Sequence, residues 1–170
     1  MSGAARVTRD SLGELFPVVS PVPMTQLPGR VWSQRQWELI KRGYRAQDMD
    51  EKWDVFVEDQ VAFLHRSWTG NGMFEAMFSP AGGGWRISGA VTGPSRDRAV
   101  PAERNRVLLE LVFCAIVLGE PASALRAELV RLSLPAGCPA PPEGVIEHSV
   151  LGLRSDQHRW LPHEGSSRPG

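Results

Sequence analysis

The chain has 170 residues, of which 42% are hydrophobic, and it contains 14 prolines and 17 glycines. This length predicts one domain with irregular segments. Nineteen basic and nineteen acidic residues give a formal net charge of zero, which disfavours a nucleic-acid-binding protein, since such domains are usually basic. The longest apolar run, Val107–Gly119, is interrupted by Glu110 and is too short to cross a bilayer. No association with a membrane is therefore expected.

The chain begins with a segment that has no regular pattern. We expect residues 1–30 to be a flexible N-terminal segment, with proline-rich Pro17–Arg30 as an extended linker. Ser33 and Gln36 then fit a capping box, and apolar residues at helical spacing predict a helix over about Gln34–Ala46, ending near Gly43. Its basic face could bind phosphate, although a solvated surface is the ordinary explanation. That face consists of Arg35, Lys41, Arg42 and Arg45.

Between Lys52 and Gly93 the sequence reads as short strands separated by turns. A two-residue loop at Asp59-Gln60 would join the first two strands into a hairpin. In that register the side chains of Asp54 and His65 share one face of the sheet. The full set of predicted cross-strand pairs is Trp53 with Arg66, Asp54 with His65, Val55 with Leu64, and Phe56 with Phe63.

Turn residues predict where the later strands begin. Asn71-Gly72 is a strong hairpin signal, since both residue types tolerate a positive φ, and it would lead into a third strand at Met73–Ser79. Pro80 and the glycines after it mark the next reversal, before a fourth strand at Trp85–Val91. Sequential hairpins of this kind give an antiparallel meander. Three apolar residues of the fourth strand should share one face: Trp85, Ile87 and Val91.

Two helices are expected after the strands. Pro101–Leu118 carries a wide apolar stripe and ends before a glycine, and a second helix follows over roughly Pro121–Leu132. Val145–Leu153 predicts a last strand at the edge of the sheet. The predicted fold class is therefore α+β, an antiparallel β-meander covered on one face by a C-terminal helix pair, with an N-terminal helix before the sheet.

The expected organisation is a single domain over 31–153, preceded by the flexible segment 1–30 and followed by a disordered tail at 154–170. Cys114 and Cys138 form neither a metal-ligand spacing nor a disulfide framework. Because no secretory signal is recognised either, we expect a cytoplasmic protein.

The densest group of polar and aromatic side chains lies at the end of the second strand. An arginine beside hydroxyl groups and a turn glycine can bind a phosphate or a carboxylate, because its guanidinium binds oxyanions bidentately. A tryptophan offers a flat face for a base or a sugar. A structural interpretation also stays open, in which the arginine stacks on Trp53, the hydroxyls cap a turn and the tryptophan fills the edge of the core. The predicted ligand-binding residues are His65, Arg66, Ser67, Trp68 and Thr69.

A catalytic interpretation uses the same strand pair. Asp54 and His65, if paired, resemble the orienting acid and the base of a catalytic constellation, with Ser67 as the nearby candidate nucleophile. An isolated strand pair of this kind is more often a satisfied polar pair. Neither a metal-ligand set nor a phosphate-loop or dinucleotide motif is recognised, so no metal and no cofactor are predicted.

Part of the predicted sheet resembles a family of small bacterial proteins. The residues that carry the resemblance are Lys52-Trp53, the acidic turn Glu58-Asp59, and Arg66-Ser67-Trp68-Thr69-Gly70. The likeness covers about Trp37–Gly93, and Gln60 stands where a glycine would make the turn easier. That family has no established activity, but segments similar to it occur alongside ADP-ribose-processing domains. The resemblance therefore implies a nucleotide-like ligand.

Together these patterns predict a non-enzymatic cytoplasmic accessory or regulatory module. It would bind an anionic or nucleotide-like small molecule, or a partner protein, through the strand end His65–Gly70. The alternative is a small hydrolase or transferase acting on a nucleotide or an ADP-ribose derivative, with His65 as base and Asp54 orienting it. A third interpretation is a structural protein whose helix pair forms a dimer.

Overall fold

The structure, a computed structural model, describes residues 5–94, 101–134, 144–152 and 154. In these residues an antiparallel sheet of six strands is combined with four α-helices, which confirms the predicted α+β class. Of the tail predicted at 154–170 only Arg154 is described, so that prediction lies outside the described residues.

The four long strands form the predicted meander. Two short strands precede them in the chain. The strands are β1 (Val22–Pro23), β2 (Trp32–Ser33), β3 (Trp53–Glu58), β4 (Val61–Arg66), β5 (Gly72–Ala81) and β6 (Gly84–Thr92). Neighbouring strands are antiparallel in the order β1-β6-β5-β4-β3, with β2 also paired to β6.

The N-terminal segment lies against the sheet. The sequence predicts a linker over Pro17–Arg30, but β1 lies within it and pairs with β6. Upstream, the backbone N–H of Phe16 donates to the carbonyl of Gly70 at 2.9 Å, and the N–H of Gly72 donates to the carbonyl of Phe16 at 2.8 Å. A short 3₁₀ turn occupies Arg9–Ser11. Backbone hydrogen bonds therefore fix the described part of this segment to the sheet.

The first hairpin has the register predicted from the sequence. Asp54 pairs with His65, and Trp53 pairs with Arg66, across β3 and β4. The turn between these strands contains Asp59, whose φ is +54°. The register follows because a two-residue loop joins the strands and leaves little freedom for slippage.

The second reversal does not lie at Asn71-Gly72 as predicted. The chain turns over residues 67–70, where the N–H of Gly70 donates to the carbonyl of Arg66 at 2.9 Å and Gly70 has a φ of +71°. Gly72 already belongs to β5, and a Cβ there would come within 2.7 Å of the Val18 backbone nitrogen. The glycine at 72 therefore accommodates the N-terminal segment, and Gly70 supplies the left-handed turn residue.

A β-bulge separates the apolar residues of β6. Phe78 pairs with Ile87 but Met77 pairs with Gly89, so Ser88 is an extra residue. Beyond such a bulge the alternation of faces is reversed. Trp85 and Ile87 face the helices, whereas Val91 lies on the outer face, so the expectation of one shared face is wrong.

The helices lie close to the predicted positions, except at the C-terminus. α1 (Gln34–Arg42) begins at the predicted capping box and ends at Gly43, whose φ is +76° and near which the sequence predicts the end of the helix. α2 (Ala102–Leu111) continues as one π-helical stretch, Val112–Val117, and α3 (Ser123–Ser133) packs against α2.

The predicted edge strand at Val145–Leu153 is wrong. This part of the chain forms α4 (Val145–Val150), which packs against α3, and only Gly152 makes a β-bridge, to Glu51. Val145, Ile146 and Val150 are β-branched, yet they lie in a helix that packs on α3, since β propensity depends strongly on context.

The hydrophobic core lies between one face of the sheet and α1, α2 and the π-helical stretch. Trp32, Phe78 and Phe113 meet there edge to face, with ring centroids 5.2–6.0 Å apart. Among the described residues, no helix has the length and hydropathy needed to cross a membrane.

Candidate functional site

The alternation of β4 places the predicted ligand-binding residues on both faces of the sheet. Arg66 lies on the face that the helices cover. His65 and its neighbour across the strands, Asp54, lie on the outer face, against the N-terminal segment. The strand end therefore does not gather these side chains around one point.

Arg66 is held by structural contacts. Its guanidinium lies 4.3 Å from the ring centroid of Trp53, and its Nη1 donates to the carbonyl of Val150 at 2.8 Å. Burial, and then repulsion by Arg104, lowers the pKa of Arg66 to about 10. The stacking on Trp53 is the arrangement that the structural interpretation expected, and the Val150 carbonyl supplies the hydrogen-bond acceptor.

The two polar groups of the proposed dyad have separate partners. Asp54 Oδ1 accepts from the Ala46 N–H at 2.8 Å, whereas the His65 ring stacks on Phe56 with centroids 5.6 Å apart. His65 is 3% exposed, and its Nδ1 has no hydrogen-bond partner among the described residues. Burial lowers the pKa of His65, and the charge of Arg9 lowers it further. A hydrogen bond with the Phe16 backbone acts in the opposite direction and raises this pKa.

In the turn that follows β4, Trp68 and Thr69 are exposed to solvent, whereas Ser67 is half-buried. Ser67 Oγ donates to the carbonyl of Glu51 at 2.7 Å, and Thr69 Oγ1 accepts from the Asn71 N–H at 3.3 Å. Trp68 is 60% exposed, so it does not fill the edge of the core. Ser67 and Thr69 thus stabilise the turn, and the indole of Trp68 remains accessible.

Asp54 and Trp68 line a cleft that we name the Asp54 cleft. It consists of two adjoining cavities of about 310 and 250 Å³, and both are lined by Gly13, Asp54, Ser67 and Trp68. Its walls are the N-terminal segment at 12–16, the loop at 45–49 and the turn at 67–70. Sequence reasoning named Asp54, Ser67 and Trp68 but gave no signal for the wall that the N-terminal segment supplies.

Asp54 is only 9% exposed, yet it is open to this cleft on one side. Its Oδ2 has no described hydrogen-bond partner, and this oxygen is not fully enclosed by protein atoms. Burial raises the pKa of the Asp54 carboxyl above its ordinary value, although the hydrogen bond from Ala46 and the charge of Arg45 act in the opposite direction. One oxygen therefore orients the group, and the other faces the cleft.

A second cavity, of about 460 Å³, adjoins the Asp54 cleft, and we name it the arginine cavity. Arg45 and Gln47 line both spaces. All the charged side chains that line the arginine cavity in the described part of the chain are arginines. They are Arg6, Arg42, Arg45 and Arg154.

The loop between α1 and β3 connects the two spaces and is held by a buried carboxylate. Glu51, 1% exposed, accepts hydrogen bonds from Tyr44 Oη and from the Gln47 backbone N–H. The guanidinium of Arg154 lies 5.6 Å from the Tyr44 ring centroid. These contacts fix the backbone that carries Arg45 between the arginine cavity and the Asp54 cleft.

Two of the four arginines belong to the basic face that the sequence predicts on α1 and just after it. Arg42 and Arg45 line the arginine cavity, whereas Lys41 pairs with Glu38 at 2.8 Å. Arg6 and Arg154 come from opposite ends of the chain, so no spacing in the sequence could reveal them. A cluster of arginines creates a positive potential that attracts oxyanions, and the buried carboxylate of Glu51 behind the cavity wall offsets part of it.

Within the described ranges, no group of three or more His, Cys, Asp or Glu side chains could hold a metal ion. No protein-family model, no curated protein and no solved structure matches this chain. The arguments for function therefore come from the geometry of the arginine cavity and the Asp54 cleft.

Proposed function

We propose that this protein is a non-enzymatic cytoplasmic accessory or regulatory module that binds an anionic, nucleotide-like small molecule. The observation that carries the proposal is the arginine cavity, in which four arginine residues line about 460 Å³ beside a cleft with an exposed indole. A cavity of this size falls within the range of small-molecule sites, roughly 300–1,000 Å³.

An oxyanion suits the arginine cavity for two physical reasons. Guanidinium groups remain charged at any physiological pH and donate in a planar fork that matches phosphate and carboxylate oxygens. Arg42 and Arg45 both line the cavity and lie exposed just before and after Gly43 and Tyr44, so both are available to an oxyanion there. A hydrogen bond to a charged group contributes about 1.5–3 kcal/mol, so the loss of one arginine should weaken binding roughly ten- to a hundredfold.

The non-enzymatic interpretation is favoured over a hydrolase or transferase by the partners of the candidate catalytic groups. A base must reach the proton that it abstracts, but the imidazole of His65 is enclosed by Phe56 and the N-terminal segment. The hydroxyl of Ser67 is engaged with the Glu51 carbonyl rather than with His65.

Calorimetric titration with inorganic pyrophosphate tests the proposal. The wild-type chain should bind pyrophosphate, and Arg42→Ala should weaken that binding roughly tenfold or more. Arg35→Ala is the matched control, because Arg35 lies exposed on the same helix but does not line the arginine cavity. No binding by the wild-type chain, or equal binding by Arg42→Ala, would overturn the proposal.

Arg66→Ala separates the arginine cavity from the strand end His65–Gly70 as the anion site. If the arginine cavity binds the ligand, a folded Arg66→Ala variant should bind pyrophosphate as the wild-type chain does. Loss of binding in that variant, with Arg42→Ala unaffected, would move the site to the strand end. Binding of a partner protein with no response to pyrophosphate would instead favour the partner-protein interpretation.

A further inference from the structure

The Asp54 cleft and the arginine cavity differ sharply in charge and share a wall. Arg45 and Gln47 line both, so a ligand long enough to pass these two side chains would reach from one space into the other. A phosphate in the Asp54 cleft would meet a carboxylate, whereas in the arginine cavity it meets guanidinium groups. This difference fixes which end of an extended anionic ligand enters which space.

The group that enters the Asp54 cleft must donate a hydrogen bond. Asp54 Oδ1 is occupied by the Ala46 N–H at 2.8 Å, and its open Oδ2 can only accept while the carboxyl is ionised. A donor on the ligand would complete the hydrogen bonding of a group that is nine-tenths buried. An acidic or purely apolar group would leave that oxygen without a partner.

Trp68 supplies the second half of this recognition. Its indole is 60% exposed and lines both cavities of the Asp54 cleft. The ammonium group of Lys52 lies over one face of the ring, 5.5 Å from its centroid, so a base would stack on the opposite face. Stacking on a tryptophan is a common way to hold a nucleobase, since every base has a flat π face.

We propose that the ligand is a nucleoside diphosphate whose base stacks on Trp68 and donates an N–H to Asp54, while its phosphates lie in the arginine cavity. This inference rests on the proposed function, because the arginine cavity must first bind the phosphates. Beyond the proposed function, the inference identifies the uncharged part of the ligand as a nucleobase in the Asp54 cleft. A ribose hydroxyl could also donate to Asp54, so the experiment has to separate base from sugar.

The test compares three probes by calorimetry: ADP, ribose 5-phosphate and inorganic pyrophosphate. The wild-type chain should bind ADP at least tenfold more tightly than either of the other probes. Trp68→Ala should weaken ADP binding roughly five- to a hundredfold and leave pyrophosphate binding unchanged. Trp68→Tyr keeps a flat ring at the same position and should retain most of the affinity for ADP.

Asp54→Asn provides an independent arm. The amide oxygen of Asn can still accept from the Ala46 N–H, so its NH₂ group would face the N–H of the base. Because two donors cannot form a hydrogen bond with each other, the affinity for ADP should fall, whereas the affinity for pyrophosphate should not. A fluorescence change on adding ADP that disappears in Trp68→Ala would support stacking on this indole among the six tryptophans.

The outcomes separate the two proposals. If pyrophosphate binds but ADP binds no more tightly, the base subsite is wrong and the anion-binding function stands. If ribose 5-phosphate matches ADP, the sugar rather than the base is recognised, which also overturns the inference. If Trp68→Ala weakens pyrophosphate and ADP alike, the indole has no specific role for the base. If none of the three probes binds, the proposed function itself fails.

Discussion

Arg66 and Trp53 face each other across the first hairpin, and both donate to the same carbonyl. Nη1 of Arg66 lies 2.8 Å and Nε1 of Trp53 lies 3.2 Å from the oxygen of Val150, at the end of α4. The guanidinium also covers the indole at 4.3 Å. This arrangement attaches α4 to the edge of the sheet.

Arg66→Ala should therefore destabilise the fold without affecting the anion site. A charge-assisted hydrogen bond and a cation–π contact together contribute about 2–4 kcal/mol. The cost of burying the guanidinium, which lowers its pKa, offsets part of this, so a net loss of about 1–2 kcal/mol is expected. Thermal or denaturant unfolding should show a loss of that size, and the exposed Arg35→Ala should show almost none. A change below about 0.5 kcal/mol, the usual range for surface positions, would contradict the anchoring role of Arg66.

Asp54→Asn should stabilise the folded chain at neutral pH. Burial raises the pKa of this carboxyl in the fold above the reference value of 3.8, so the folded state binds more protons than the unfolded state between the two values. Stability therefore falls as pH rises through that window, and the ionised carboxyl disfavours folding at pH 7. The neighbouring charges are Arg45, which opposes the shift, and Glu51, which adds to it.

Denaturant unfolding of Asp54→Asn and the wild-type chain at pH 7 and pH 3.5 measures this effect. The variant should be more stable at pH 7, and its advantage should shrink at pH 3.5, where Asp54 becomes protonated in both states. The exposed Asp10→Asn serves as the control. If Asp54→Asn were less stable than the wild-type chain at pH 7, the ionised carboxylate would stabilise the fold, and the prediction would be wrong.

His65 should make the fold less stable below neutral pH. Its pKa is lowered in the fold, mainly by burial and then by Arg9, so the unfolded state takes up a proton first as the pH falls below 6.5. The stability that the neutral imidazole retains above pH 6.5 is thus lost progressively on acidification. Around the ring lie Phe56 and the backbone of Phe16, with Asp54 opposite it across the strands.

The comparison of His65→Phe with the wild-type chain isolates that contribution. Between pH 7 and pH 5 the wild-type chain should lose more unfolding free energy than His65→Phe does. His148→Gln is a suitable control, because His148 is exposed and lies 3.7 Å from Asp50 at the surface. Equal pH dependence in the wild-type chain and His65→Phe would assign the acid sensitivity to other groups.

The sequence predicts the central hairpin well because local rules decide it. Alternating side chains on each side of Asp59-Gln60 leave one register that keeps Val55 and Leu64 in the core, and the structure has that register. The position of the turn between β4 and β5 is less well predicted. Asn71-Gly72 has the composition of a hairpin loop, but contacts with Phe16 and Val18 from the distant N-terminal segment place it in a strand.

The candidate site is harder to predict because its parts are distant in the sequence. Asp54 and Trp68 stand out locally, but Arg6 and Arg154 reach the arginine cavity from opposite ends of the chain. The proline-rich N-terminal segment shows no periodicity, and its position is set by backbone hydrogen bonds to Gly70 and Gly72. Only the folded chain brings these groups together.

Gly70→Ala should open the Asp54 cleft by displacing the N-terminal segment. Gly70 has a φ of +71°, and a Cβ there would collide with the carbonyl oxygen of Glu14 in the wall of the cleft. The left-handed conformation costs about 1–2 kcal/mol, and relief of the collision adds about 1–3 kcal/mol. Gly83→Ala is the matched control, since its φ is +84° but nothing lies within 4 Å of the added Cβ.

Gly83→Ala should therefore be destabilised by the conformational cost alone and should keep its ligand binding. Gly70→Ala should lose more stability in denaturant unfolding, and ADP should bind it less tightly, because Gly13 and Glu14 would no longer close the cleft around Trp68. Limited proteolysis should cut the N-terminal segment faster in Gly70→Ala than in Gly83→Ala. Equal stability and equal ADP affinity in the two variants would mean that the N-terminal segment does not contribute to ligand binding in the Asp54 cleft.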